Sequence, residues 1–281
     1  MKPISQSHLD LRSVRALILD ADGTLWYGDR SVPGVPELFA FLREQRIAHI
    51  IATNNSVHPA PVILAKLERF GVRLGAEHLI TCTEVTSSYL KDRFPRGAKV
   101  YPIGQRGLLE ALQAGGYEIL TDVSQKADAV VVGADPTLTY EKLKYAVLHI
   151  QRGAIFVGTN PDVVSPNSEG LLPEAGAIQA AVAAATGISP VVMGKPQPYL
   201  FQMAVKKIGS QPAETAVIGD RLDTDILGGH TVGLHTILVE TGVDRASSIS
   251  EKQVNPEMVV TDLVALVQAW REQLQCVGCA G

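Results

Sequence analysis

Residues 16–26 read ALILDADGTLW, a short apolar run that ends in Asp20 and Asp22, followed at once by Gly23 and Thr24. Aspartate is a poor strand former, and a buried charge without a partner is costly. Two carboxylates about 4 Å apart repel by roughly 1 to 4 kcal/mol, depending on the local dielectric. The chain delivers polar groups in the same way at three other places. Thr53, Asn54 and Asn55 close the apolar run AHIIAT, Lys195 follows VVMG, and Asp220 closes TAVIGD with Asp223 and Asp225 just beyond. Acids gathered without a compact His and Cys cluster point to a hard divalent cation rather than zinc, and Mg²⁺ prefers oxygen ligands. Mg²⁺ beside a lysine and a hydroxyl–amide pair points to phosphate. A carboxylate can attack phosphorus to give an aspartyl-phosphate, and a second acid can protonate the leaving alkoxide and then deprotonate water. The cation and Lys195 would neutralise charge on the transferring phosphoryl group. The Thr53–Asn55 hydroxyl and amides would cradle its oxygens at a helix start.

The elements that must position these groups are legible. Apolar, β-branched runs predict strands at 16–20, 48–53, 98–103, 127–133, 154–159, 215–220, 235–240 and 257–262. Between them lie amphipathic segments, among them VPELFAFLREQR, APVILAKLERFG, TYEKLKYAVLHIQRG and PYLFQMAVKKIG, several of which end at Gly. Such alternation predicts α/β architecture, a doubly wound parallel sheet covered by helices, with ligands bound beyond the carboxyl ends of the strands. The polar strand ends fall in residues 16–56 and 190–226, whereas the middle has its own alternation and a Gly- and Pro-rich exit. The expected organisation is a core of residues 1–82 and 186–281 with an α/β cap, residues 83–185, inserted between them.

The 281 residues carry a net charge of −4 without a block of like charge, which speaks against a nucleic-acid surface. The apolar runs ADAVVVGA and AIQAAVAAAT are too short to span a bilayer, so no membrane partner is expected. The polar first residues lack a secretory pattern, and three cysteines are an odd, low count. Both suit a reducing cytoplasm. Cys276 and Cys279 form a C-x-x-C without a second pair or a nearby His, and read as a frayed tail.

In this order the four elements resemble the haloacid-dehalogenase-like (HAD) phosphatases, with D-x-D-G-T-L matched throughout. TNNS, GKP, GDRLDTDI, GTNPD and the late VETGV resemble the 4-nitrophenylphosphatase-like, or NagD-like, branch, which carries a large cap between its second and third motifs. The resemblance implies a Rossmann-like core and a Mg²⁺-dependent phosphatase acting on small phosphorylated metabolites. It makes Asp20 nucleophile and metal ligand, and Asp22 the general acid/base with its backbone carbonyl on the metal. Asp220 would ligate the metal, and Asp225 would lie just behind it, orienting waters or Lys195. Thr53, Asn54, Asn55 and Lys195 would bind the phosphoryl group. It also suggests a homodimer through the cap.

Other readings stand beside these. Asn55 and Ser56 suit the N-cap region of the following helix equally well, and Asp223 reads as an exposed acid at a helix start. Asn160, Asp162 and Ser165 are candidates for substrate contact in the cap, with an ordinary Asn/Pro turn as the alternative. Trp26 and Tyr27 are read as packing against the cap base or the substrate. A phosphotransferase or phosphomutase would share the catalytic residues. A phosphoryl-accepting signalling switch would use Asp, Thr, Lys and Mg²⁺ on a similar sheet, but in a shorter chain without D-x-D-G-T.

Overall fold

The computed structural model describes residues 9–167 and 169–275. The Cys276–Cys279 pair lies outside the described residues. The chain forms two compact units. The first comprises the segment ending at Thr53, Leu64–Leu79 and the segment from Phe201 onward; the second comprises Asn54–Ile63 and Ile80–Leu200.

The first unit is organised by a six-stranded sheet in the order Met258–Val260, His235–Val239, Thr215–Gly219, Ala16–Leu19, Ala48–Thr53, Leu79–Thr81. Its described pairings are parallel: Ala16 lies opposite Thr215 on one side and Ala48 on the other. The central strand Ala16–Leu19 is buried along its whole length, as a strand covered on both faces requires, and so it reads as an unbroken apolar run. Helices Val35–Glu44, Ala60–Arg69, Pro198–Ile208 and Leu263–Gln275 follow strands or turns. Phe41 of the first of these meets Trp270 of the last at a ring separation of 5.5 Å, and both rings are buried.

The second unit carries a five-stranded sheet in the order Val191–Val192, Ile155–Gly158, Ala129–Val132, Lys99–Ile103, Glu118–Ile119, again parallel. Its own apolar core includes Ile103, Val130, Phe156 and Val182. The hairpin Val164–Asn167 with Gly170–Pro173 and the helices Cys82–Lys91, Arg106–Ala114, Tyr140–Gln151 and Ala175–Thr186 belong to it as well. The apolar run AIQAAVAAAT is therefore a helix of this unit, and no helix among the described residues is long and apolar enough to cross a membrane.

Every strand expected from the apolar runs is present; Ala48–Thr53 has the expected bounds and the others are trimmed by one to three residues. The short strands Leu79–Thr81, Glu118–Ile119 and Val191–Val192 are additional. Two or three residues are too few to display a period, so only their sheet partners define them.

Candidate active site

In the first unit the polar groups gather where parallel strands end. Asp20 extends the central ladder by one step, its N–H donating to the Ile218 carbonyl at 2.9 Å. The chain then turns sharply. Leu25 N–H donates to the Ala21 carbonyl at 2.8 Å, and Gly23 N–H to the Trp26 carbonyl at 2.7 Å. Gly23 has φ +87°, a left-handed conformation that glycine adopts without cost. A side chain there would also collide with the Asp220 carboxylate, and so would one at Gly242. These two glycines let the backbone approach Asp220 closely.

Asp20, Asp220 and Asp225 are all buried, and each offers a carboxylate oxygen within 4.8 Å of the others. Asp220 follows the strand Thr215–Gly219 and accepts from Val243 N–H at 2.7 Å. Asp225 sits in the helical turn Leu222–Ile226 and accepts from Arg221 N–H at 3.2 Å. Three buried carboxylates at this spacing repel strongly unless a cation lies among them. The donor set is all oxygen and anionic, which matches a hard divalent ion such as Mg²⁺. The residues present therefore fit the metal that the sequence implies.

Asp22 behaves differently. Its side chain is exposed, and Oδ1 accepts from the indole N–H of Trp26 at 2.8 Å. Trp26 is itself buried, with Phe70 at 6.2 Å between rings and the Lys66 ammonium 4.8 Å above the indole. Burial pulls the Lys66 amine below its usual range, and the charges of Asp22 and Asp29 oppose that pull. Trp26 thus fixes the Asp22 carboxylate, a task that the sequence does not reveal.

Asp244 was not singled out in the sequence. It is buried, accepts from Leu222 N–H at 2.8 Å, and pairs with Lys252 at 2.8 Å, while its own N–H donates to the Asp220 carbonyl at 2.9 Å. It braces the turn that carries Asp225. Its signal was the acid closing VETGVD, where Thr241 also donates to the Gly23 carbonyl at 2.6 Å. Asp223 is half-buried rather than exposed, and bonds Arg221 at 3.2 Å and Lys252 at 3.4 Å. Burial opposes its ionisation, but the Arg221 hydrogen bond and the two cations hold its carboxyl below the usual range.

Thr53 ends its strand buried. In the second unit, Asn54 clamps the backbone of Lys195: Oδ1 accepts from Lys195 N–H at 2.8 Å, and Nδ2 donates to the Lys195 carbonyl at 3.0 Å. The same Nδ2 reaches Asp162 Oδ2 at 2.9 Å, which also accepts from Asn160 Nδ2 at 2.9 Å. Asn54, Asn160, Asp162 and the Lys195 backbone thus form one polar node, and Lys195 itself is buried. The Cys82 thiol donates to the Asn54 carbonyl at 3.1 Å, and burial pushes its pKa far up, which makes it inert. Asn55 makes an Asx turn, accepting from Val57 and His58 N–H at 3.1 and 2.9 Å, so its side chain launches the helix Ala60–Arg69. Ser56 accepts from Ala134 N–H at 3.1 Å. Ser165 lies half-buried in the hairpin strand Val164–Asn167.

Comparison with known proteins agrees with this arrangement. A family model described as haloacid dehalogenase-like hydrolase matches residues 17–118, and a HAD-hydrolase-like model matches residues 192–266. An acid sugar phosphatase of Staphylococcus aureus is 37% identical over 253 residues, covering 90% of this chain and 96% of its own. A 4-nitrophenylphosphatase of Thermotoga maritima superposes with a TM-score of 0.88 at 34% identity, covering 94% of this chain and all of its own. A glycerol phosphate phosphatase of Mycobacterium tuberculosis, solved in complex with magnesium, gives 0.86 at 31% identity, covering 93% of this chain and 79% of its own. The ordered motifs, the converging carboxylates and these relatives together establish that the chain belongs to the haloacid-dehalogenase-like hydrolases, in the NagD-like, 4-nitrophenylphosphatase-like branch, and is a phosphatase.

Proposed function

We propose that the chain hydrolyses small phosphate monoesters with Mg²⁺ through an aspartyl-phosphate on Asp20. The observation that carries this reading is the convergence of Asp20, Asp220 and Asp225 at the carboxyl ends of parallel strands. Asp20 Oδ attacks phosphorus, the bond to the ester oxygen breaks, and Asp22 gives that oxygen its proton. Asp22, now a carboxylate, takes a proton from water. The resulting hydroxide attacks phosphorus, the bond to Asp20 breaks, and phosphate leaves. The bond from the indole N–H of Trp26 to one carboxylate oxygen of Asp22 supports this role, since it leaves the second oxygen to handle the proton. A bound Mg²⁺, held by Asp20 and Asp220 with Asp225 behind them, would neutralise charge on the phosphoryl oxygens.

Thr53 and Lys195 are assigned to the phosphoryl oxygens from their motifs, and Asn54 to holding the Lys195 backbone. Substrates of the relatives' kind, a sugar, glycerol or aryl phosphate, fit this chemistry. The same residues would serve a phosphotransferase, in which an acceptor hydroxyl replaces water.

Release of inorganic phosphate from a panel of such esters tests the proposal. Turnover should vanish with excess chelator and return with Mg²⁺. In Asp20→Asn no phosphorylated enzyme should be trapped. Metal-independent turnover, or a phosphorylated Asp20→Asn chain, sinks it.

A further inference from the structure

The amino ends of the first unit's strands hold a second feature that phosphatase chemistry does not use. A cavity of about 620 Å³ lies against the start of the strand Ala48–Thr53, the end of it opposite to Thr53. That volume is in the range of sites for small organic ligands. Arg43, Arg46, Arg73 and Lys207 line it, with Glu77 as its one carboxylate, so its charge is strongly positive.

Two anomalies fall in this cavity. The first is Arg46, with φ +56°. It follows the helix Val35–Glu44 in a Schellman turn: Arg46 N–H donates to the Arg43 carbonyl at 3.2 Å and Ile47 N–H to the Leu42 carbonyl at 2.8 Å. That position is usually glycine, because a side chain in the left-handed region costs about 1 to 2 kcal/mol. The chain keeps a strained arginine there, and this residue lines the cavity. Neither Arg43 nor Arg46 has an ion-pair partner among the described residues.

The second anomaly is His49. Its Nδ1 lies 3.1 Å from the Ile47 carbonyl and so carries the ring proton. Burial, and then the charges of His78 and Arg43, pull the ring's pKa below its usual value, against the pull of that hydrogen bond. Nε2 is then a buried acceptor, and it has no hydrogen-bond partner. The ring stacks on His78 at 4.6 Å and meets Phe39 edge-on at 5.5 Å, which gives the cavity an aromatic wall.

We infer that this cavity binds a small organic anion of the nucleoside monophosphate class, with its ring against the His49–His78 stack and its phosphate on Arg43 and Arg46. The aromatic wall and the unpaired arginines ask for two parts of one molecule: a flat ring and an anionic group. The site is distinct from the carboxylate cluster, which lies at the other ends of the same parallel strands.

AMP is the probe, titrated calorimetrically into Asp20→Asn protein without added Mg²⁺, which weakens any phosphate binding at the acidic edge. AMP should bind with one site per chain, and Arg43→Gln and Arg46→Gly should each weaken it about tenfold, the loss of one charge-assisted contact. Arg46→Gly should also raise the melting temperature without AMP, because it relieves the left-handed strain while removing the cation. Both substitutions, made in the otherwise natural chain, should leave turnover of 4-nitrophenyl phosphate unchanged, which shows that the fold is intact. Two outcomes overturn the inference: no saturable AMP binding, or an AMP affinity in the Arg43→Gln and Arg46→Gly proteins equal to that of the chain with both arginines.

Discussion

The two ends of the first unit's sheet carry opposite charge by different means. At the carboxyl ends, Asp20 and Asp220 continue directly from their strands and Asp225 sits on the next turn, all buried within one small cluster. At the amino ends, Arg43, Arg46 and Arg73 are exposed groups on helix ends and turns, and only His49 belongs to a strand. The acidic end is rigid because its charges extend the sheet's own hydrogen-bond ladder, and it spends stability on repulsion that a cation can relieve. The basic end spends little, since long side chains keep their cations solvated. The difference teaches that reaction chemistry is built on strand ends, where geometry is fixed, and that looser electrostatics sits on helix termini.

Substitutions at the two ends should therefore have very different consequences. Asp20→Asn should reduce phosphate release more than about a thousandfold, as loss of a nucleophile does. Arg73→Gln at the other end should leave it unchanged. Steady-state assays on folded proteins decide this, and comparable losses at both ends would erase the contrast.

Gly23→Ala should come next. The left-handed backbone there costs about 1 to 2 kcal/mol for a side chain, and the added methyl collides with Asp220. Denaturant unfolding should show at least that loss. Mg²⁺ should also raise the melting temperature of this variant less than that of the natural chain, because the variant displaces a carboxylate of the cluster. Gly97, equally left-handed at φ +83° but facing open space, should lose only the strain on substitution to Ala.

Trp26→Phe keeps most of the buried ring and removes the N–H that fixes Asp22. Hydrogen bonds to charged groups contribute about 1.5 to 3 kcal/mol, so kcat on an alkyl phosphate should fall roughly tenfold or more. An aryl phosphate, whose leaving group needs no proton, should be affected far less. Equal losses on both would mean that the indole supports the fold rather than the proton donor.

The smallest effect concerns the brace behind the acids. The folded carboxyl of Asp223 lies below its usual range and the folded Lys252 amine above its own, in the second case because the hydrogen bond to Asp244 and the nearby acids outweigh burial. A depressed carboxylate stabilises above its unfolded pKa and loses that contribution as pH falls through the folded value. A raised amine stabilises below its unfolded pKa and loses it as pH rises through the folded value. Lys252→Met should thus destabilise by at most about 1 kcal/mol at neutral pH. The deficit should shrink below the carboxylate range and above the amine range, as urea unfolding across a pH series would record. A deficit constant in pH would assign Lys252 a packing role alone.

The structure separates what local sequence carries from what it does not. The strands Ala16–Leu19, Ala48–Thr53 and Thr215–Gly219 were legible because a doubly covered parallel strand must be apolar throughout. The acids at their ends stood out because nothing in strand propensity explains an aspartate there. Asn55 was open between two roles, and the Asx turn to Val57 and His58 gives its side chain to the helix start. Asn54 was expected at the phosphoryl group with the backbone amides of 53–55, and its side chain holds the Lys195 backbone and Asp162, which the sequence did not show. Asp223 was expected exposed and instead lies half-buried between two cations.

By itself, then, the sequence determined the order of strands and helices, the family, and the identity of the acids, because period, turn chemistry and motif spacing act within a few residues of one another. The tertiary structure alone decided that Trp26 holds Asp22, that Asn54 reaches Asp162 and Lys195 across 108 and 141 residues, and that a strained arginine and a half-buried histidine border one basic cavity. The physical reason is separation along the chain. A hydrogen bond between residues that far apart leaves no periodic trace in either segment, since its partners meet only after the sheets have paired and loop closure has been offset by burial.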